Sequence, residues 1–270
     1  MFFQLYIVAT PIGNLRDVSY RALDVLKTVD VVLCEDTRVS VKLLQNFGIT
    51  VSLMVYNDHN AIQVIPNIIK TIKSDSKTFA LISDAGTPLI SDPGYKLVNA
   101  CIENDIKYTV IPGASAVISA LVLSGFPTDR FMFAGFADLT KFAELSKINS
   151  TLIFYESPNR ILKTLENMKL IFKNRTVAVI KEMTKIHETV IRGDFDCVIS
   201  YFSQNKPKGE FVVLLSPPYT TNDEKLNELK PLISALSAKM SKKDICSILA
   251  NYYGIAKNTI YNYMKENLND

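Results

Sequence analysis

Four short, mostly apolar runs in the first 111 residues restrict the folds open to this chain. They lie at 5–9, 29–33, 78–82 and 108–111. A strand with one wet face alternates polar and apolar residues, whereas a run that is apolar throughout predicts a strand buried on both faces. Segments of helical spacing separate the runs. Residues 19–28 carry Leu23 and Leu26 on one face, and 95–103 repeat the period. Strands alternating with helices predict a mainly parallel sheet covered on both sides.

A second alternating region starts after Pro112 and Gly113. Residues 114–123 are small and apolar and predict a buried helix. Strands are expected at 131–135, 151–155, 176–180, 188–192 and 211–215, with a helix over 159–172. A polar, proline-containing break at 217–222 predicts a linker, and the chain beyond it has helical spacing. The expected class is therefore α/β. Two α/β domains span 1–113 and 114–218, and a helical, helix-turn-helix-like tail spans 223–270.

Composition removes several classes. With 270 residues, 48% hydrophobic and 21% charged, the chain is ordinary for a globular protein and long enough to bury a core without staples. Cys34, Cys101, Cys197 and Cys246 are scattered, as are His59 and His187. This spacing makes no zinc site, so no metal is expected, and it suits a reducing compartment. No basic region precedes the apolar start and no apolar stretch reaches eighteen residues, so neither a signal peptide nor a membrane span is expected. A cytoplasmic location follows as the expectation. The net charge of +3 permits a nucleic-acid partner without arguing for one.

Chemistry-bearing turns follow the first set of strands. The richest is the segment 83–94, Ser-Asp-Ala-Gly-Thr-Pro-Leu-Ile-Ser-Asp-Pro-Gly. Its two Gly/Pro turns can continue neither strand nor helix, so it belongs at the carboxyl edge of a sheet, where α/β folds bind ligands. Gly86 allows close backbone approach, Pro88 fixes the turn, and Asp84 offers acceptors. The same residues would equally serve a structural turn rich in helix caps. Walker and GxGxxG patterns are absent. Pro112-Gly113-Ala114-Ser115-Ala116 opens a helix whose amides and Ser115 could hold a ligand or simply cap it. Thr10-Pro11-Ile12-Gly13-Asn14-Leu15 and Glu35-Asp36-Thr37-Arg38 end two further strands. Loops that end neighbouring parallel strands gather on one edge, which favours a pocket over isolated solvated turns.

Eight segments in register carry a resemblance. They are the four turns above, Ser124-Gly125-Phe126-Pro127, Phe154-Tyr155-Glu156-Ser157-Pro158, Lys181-Glu182-Met183-Thr184-Lys185 with Glu188, and Lys208-Gly209-Glu210-Phe211. Across residues 4–216 this pattern resembles the ribosomal RNA small-subunit methyltransferase I family of the tetrapyrrole methylase superfamily. The resemblance implies two α/β domains with a cofactor cleft between them, a homodimer, and transfer of a methyl group from S-adenosyl-L-methionine. The acceptor it implies is the 2′-oxygen of a decoding-region cytidine in small-subunit (16S) rRNA, with the assembled 30S subunit as partner. It places the cofactor on Pro11, Asp84, Gly86, Thr87, Pro88, Ser115, Ala116 and Tyr155, closed by the 211–215 strand. Two departures stand out. Asn159 occupies the place of a usual histidine, and Asp138-Leu139-Thr140-Lys141 replaces a usual basic loop that could touch RNA.

A ribose hydroxyl is a weak nucleophile, so a base or a nearby cation should assist. The candidates are Glu182, Lys185 and Arg38, with Glu35 and Asp36 across the cleft. Lys185 would serve as a base if burial lowered its pKa, or grip a phosphate if not. Glu182 could orient it, and all three could form only an interdomain ion-pair network. His187 is a weaker candidate, and Asp58-His59-Asn60 reads as a polar loop at the cleft mouth or on plain surface. In the tail, Ser241 begins a capping box with Asp244. Ile245, Ile248 and Leu249 form an apolar face. Five lysines from Lys239 to Lys265, with Tyr252, Tyr253, Tyr261 and Tyr263, suit RNA contact or a solvated face of a packing domain. The rival readings are a tetrapyrrole C-methyltransferase using the same cleft and a non-catalytic RNA-binding module.

Overall fold

The computed structural model describes residues 3–219 and 222–267. The chain forms two compact units, Met1–Pro217 and Pro218–Asp270.

The first unit opens with β1 (Leu5–Val8), α1 (Tyr20–Thr28), β2 (Val31–Cys34), α2 (Thr37–Asn46), β3 (Ser52–Val55), α3 (Ala61–Asp75), β4 (Phe79–Leu81), α4 (Tyr95–Glu103) and β5 (Tyr108–Ile111). The strands form one sheet in the order β3-β2-β4-β1-β5, parallel throughout. The pleat explains the continuous apolar runs. Leu5 and Ile7 of β1 join Leu33, Phe79 and Leu81 under α3 and α4, through Ile68, Ile72, Leu97 and Cys101. Val8, Val32, Ala80 and Ile82 face the other way, under Ala22 and Leu26 of α1 and Leu44 of α2. Each strand thus feeds both faces, as alternate side chains must. Helix α1 starts where Ser19 accepts the Ala22 N–H, and α2 where Asp36 accepts the Arg38 N–H.

The chain continues through α5 (Ala116–Ser124), β6 (Phe131–Phe136), α6 (Phe142–Leu145), β7 (Thr151–Glu156), α7 (Ile161–Ile171), β8 (Val177–Lys181), β9 (Thr189–Gly193), α8 (Phe195–Gln204) and β10 (Phe211–Leu215). The second sheet has the order β6-β7-β10-β8-β9, and only β6 and β7 run parallel. The last strand enters the centre antiparallel to both neighbours, so the sheet is mixed although its sequence also alternates. Helices α6, α7 and α8 cover one face. Helix α5 covers the other, packing Val117, Ala120 and Leu121 on Ile153, Ala178, Val212 and Leu214. Arg192 fixes the end of α5 by donating to the carbonyls of Leu123 and Ser124.

The second unit comprises α9 (Asn222–Glu228), α10 (Lys230–Ser237), α11 (Lys242–Tyr253) and α12 (Lys257–Asn267). Its core joins Ile233, Ile245, Cys246, Leu249, Ile260 and Met264. Ser241 accepts the Asp244 N–H and donates to its carboxylate, and Gly254 ends α11 at φ 66°. Two details of the sequence reading need correction. Ile248 lies outside the core and Cys246 takes its place, because the buried stripe runs through 245, 246 and 249. Tyr263 is buried with its hydroxyl on Asn227, so only Tyr252, Tyr253 and Tyr261 are exposed. Among the described residues no helix is long and apolar enough to cross a membrane, and no three His, Cys, Asp or Glu side chains form a metal-binding group.

Candidate active site

The turns after β1, β2, β4 and β5 share the carboxyl edge of the first sheet, and hydrogen bonds knit three of them together. Thr10 N donates to Gly86 O at 2.8 Å and Gly86 N returns to Thr10 O at 3.0 Å. The Thr10 hydroxyl also reaches Ser83 O at 3.1 Å, and the Thr87 hydroxyl reaches Ala114 O at 3.1 Å. Gly86 holds φ +83°, where side chains are disfavoured. Ser115 spends its hydroxyl on capping α5, so the helix cap and the ligand turn are the same residue.

Two adjoining cavities open over this edge. The first has a volume of about 340 Å³, within the usual range for small-molecule sites. Gly86, Thr87, Ser115 and Ala116 form its floor, and Tyr155, Met183, Phe211 and Val212 of the second sheet form its wall. The second, of about 400 Å³, contains Pro11, Gly13, Asp84, Lys42, Asn46 and Lys185. Ile12, Ala85 and Glu210 border both.

Phe136 reaches the first wall through a β-bulge. Phe133 pairs with Ile153, but Phe136 pairs with Tyr155, so β6 carries one residue too many. The extra residue, with Gly135 at φ 71°, returns Phe136 to the face of Phe133. Both rings then meet Tyr155 edge-on, at centroid distances of 4.8 and 5.7 Å. Burial pushes the Tyr155 phenol up to about 12.

Backbone strain flanks the cavities. Six non-glycine residues among those described have positive φ, and four of them are Leu89, Ser91, Glu182 and Thr184. Each costs on the order of 1–3 kcal/mol, and such strain concentrates at functional sites. Leu89 and Ser91 bracket Ile90, which lines the first cavity. Glu182 and Thr184 form the turn that presents Lys185.

Lys185 Nζ lies 3.1 Å from Glu182 Oε1 and 2.8 Å from Glu210 Oε2. Glu182 also accepts the Glu210 N–H at 2.9 Å. Burial works to lower the Lys185 pKa, but the hydrogen bonds and charges of Glu210 and Glu182 outweigh it and hold the pKa above the ordinary lysine value. Burial likewise works to raise the Glu182 carboxyl, and the Glu210 amide and Lys185 bring it below the usual range. Lys185 is therefore held as a cation between two carboxylates, a setting that favours a charged over a basic role.

The other candidates divide plainly. Gly86, Thr87, Ser115, Ala116 and Tyr155 line the first cavity, and Pro11, Asp84 and Lys185 line the second. Pro88 is buried beneath the loop and lines neither. Arg38 lies outside both, with its guanidinium on Asp36 at 2.6 Å and its side chain 86% exposed. That pairing holds the Asp36 carboxyl down to about 2. His187 and Asn159 are exposed and line neither cavity. Burial, with the nearby acidic charges, raises the Glu35 and Asp84 carboxyls. Sequence reasoning missed Ile12, Ile90, Phe136 and Met183 in the first cavity, and Lys42 and Asn46 in the second. The first four look like core residues in sequence. The last two sit on a helix the sequence reading left unassigned, although the Asp36 cap announces it.

The chain is similar to known proteins. Residues 4–198 match the family described as Tetrapyrrole (Corrin/Porphyrin) Methylases. The chain is 44% identical over 250 residues to the Ribosomal RNA small subunit methyltransferase I of Rickettsia prowazekii (strain Madrid E), covering 90% of this chain and 89% of that protein. It is 48% identical over 231 residues to the protein of the same name from Hydrogenobaculum sp. (strain Y04AAS1), covering 83% and 100%. Among solved structures, diphthine synthase aligns with a TM-score of 0.61 at 14% identity, over 78% of this chain and 89% of that one. That likeness concerns the fold alone.

Proposed function

We propose a function from one premise: the chain belongs to the tetrapyrrole methylase family and, within it, to the ribosomal RNA small subunit methyltransferases I. It is an S-adenosylmethionine-dependent methyltransferase. The reaction proposed is methylation of the 2′-hydroxyl of a cytidine in the decoding region of small-subunit rRNA, on the assembled 30S subunit, in the cytoplasm, by a homodimer. The division of the first unit near residue 113 belongs to the same proposal, since α5 packs on the second sheet.

The observation that carries this reading is the pair of cavities sharing Ile12, Ala85 and Glu210. One is apolar with aromatic walls and the other carries lysines, as a reaction between a cofactor and a charged polymer requires. The first cavity fits S-adenosylmethionine. Its glycine turn allows close backbone approach, and its aromatic and methionine wall suits an adenosyl group. Gly86, Thr87, Ser115, Ala116, Tyr155 and Phe136 would hold it. Bound there, the cofactor supplies a methyl group on a positively charged sulfur.

The protein's residues supply alignment and charge. Holding two reactants in line is worth roughly 7–11 kcal/mol in favourable cases. Pro11 and Asp84 line the cavity that would receive the ribose. Lys185, fixed by Glu182 and Glu210, offers its charge to oxygen charge developing on the nucleophile. Asp84, which unlike Glu210 makes no ion pair among the described residues, would accept the hydroxyl proton. Arg38, outside both cavities, would act on RNA approaching the rim.

The test is transfer of labelled methyl from S-adenosylmethionine to small subunits purified from a strain lacking this activity, in parallel with naked rRNA. One cytidine resistant to alkaline cleavage is the expected product. Tight cofactor binding with no labelled RNA would overturn the reading and favour a tetrapyrrole substrate.

A further inference from the structure

We propose that the cleft-facing side of α2 holds the acceptor nucleotide, with Lys42 on a backbone phosphate and Asn46 on the edge of the base. The inference rests on the RNA reading above and names which residues of the second cavity would read the substrate. Val39, Lys42, Leu43 and Asn46 line that cavity, at helical positions i, i+3, i+4 and i+7. One face of one helix is therefore turned toward the place where cofactor and acceptor must meet.

The chemistry along that face is ordered. Val39 is exposed although apolar, as is Leu15 on the neighbouring turn. Together with Leu43 they give an apolar surface against which a ribose or base can rest. Lys42 makes no ion pair among the described residues, whereas Lys185 is committed to two carboxylates. Lys42 is thus the cation of the cavity available to a phosphate. Asn46 anchors its Nδ2 on the Lys42 carbonyl at 2.7 Å. Its Oδ1 receives no hydrogen bond among the described residues and is an acceptor for an exocyclic amino group. Cytosine offers such a donor at N4, where uracil has an oxygen.

Binding of purified small subunits from a strain lacking the activity would be measured directly, as affinity against salt concentration, beside methyl transfer. Lys42→Ala should weaken binding roughly tenfold at low salt and reduce the salt slope by about one, the mark of one lost phosphate contact. Asn46→Ala should raise KM for the subunit roughly tenfold or more, in line with loss of a base-edge contact. Cofactor affinity should stay at the wild-type value in both. Lys70→Ala, which removes an exposed lysine of α3 away from both cavities, should leave the slope unchanged. Because binding is read separately, a protein that binds subunits through Lys42 but transfers no methyl would keep this proposal and sink the reaction. A Lys42→Ala slope equal to wild type would overturn it, and so would a wild-type protein that binds no subunits.

Discussion

Gly13 lies flush against Lys185: a Cβ at residue 13 would sit 2.7 Å from Lys185 Cγ and 2.8 Å from the Met183 carbonyl oxygen. The turn after β1 and the turn after β8 are therefore in direct contact, and the lysine between Glu182 and Glu210 has its stem fixed by a glycine from the other sheet. Gly13→Ala should displace one of the two turns, with an overpacking cost of about 1–3 kcal/mol. Methyl transfer should fall at least tenfold while cofactor affinity changes less, because the first cavity has its own floor. Steady-state kinetics and calorimetric binding on the same preparation would check this; unchanged turnover would show that the contact plays no part.

Phe136 reaches the first cavity only through the bulge at Gly135. Phe136→Ala removes that ring without touching the turns beneath. Its contribution as an aromatic contact predicts about tenfold weaker S-adenosylmethionine binding. Titration calorimetry reads the effect, and wild-type affinity would place the adenosyl group elsewhere.

Asp92 gives a pH signature. Burial, with the charges of Glu35 and Asp84, pushes its carboxyl up to about 6 from an ordinary 3.8, against a hydrogen bond from Ser83. A raised carboxyl pKa means the folded protein binds the proton more tightly than the unfolded chain. Asp92 therefore costs nothing below pH 3.8 and progressively destabilises the fold as pH rises toward 6. Asp92→Asn should be more stable than wild type at pH 7.5 and gain nothing near pH 3.5. Urea unfolding at both values decides it, and an equal effect at the two would refute the titration.

Arg175 is buried and has no acidic partner among the described residues. Its guanidinium donates to the carbonyls of Ser150 and Ser216 at 2.8 Å each, and to those of Ser146 and Ile148. It thereby joins the loop before β7 to the end of β10. Arg175→Met fills the volume but leaves those carbonyls unpaired, at a cost of about 3 kcal/mol or more. For a unit of this size that is roughly 6–12 °C in Tm. A thermal shift under 2 °C would show that water replaces the guanidinium.

Much of the fold was legible in the residues taken alone. The apolar runs now seen as β1, β2 and β4 announced strands buried on both faces, and that condition forces helices onto both sides. β5 departs from the expectation, because it is an edge strand and leaves Val110 47% exposed. The Gly/Pro turns after these strands had to leave the sheet at its carboxyl edge. Ser115 and Ser241 announced the helices they cap. Gly86, Thr87, Ser115 and Ala116, which the resemblance implied as cofactor contacts, line the first cavity, and the turns that carry them are legible because a Gly/Pro signal is local. Helices α2 and α3 went unassigned, the first beside a charged turn and the second with Pro66 inside it.

Only tertiary structure decided the rest. Whether Lys185 is base or cation depended on Glu210, twenty-five residues away in sequence, because a pKa answers to neighbours in space. Asp84 and Pro11 fell on the second cavity and Pro88 on neither, through hydrogen bonds between separate turns. The antiparallel entry of β10 made the second sheet mixed, and the bulge that aims Phe136 exists only in register with β7. Sequence fixes what each segment must bury; strand register and packing fix which side chains meet.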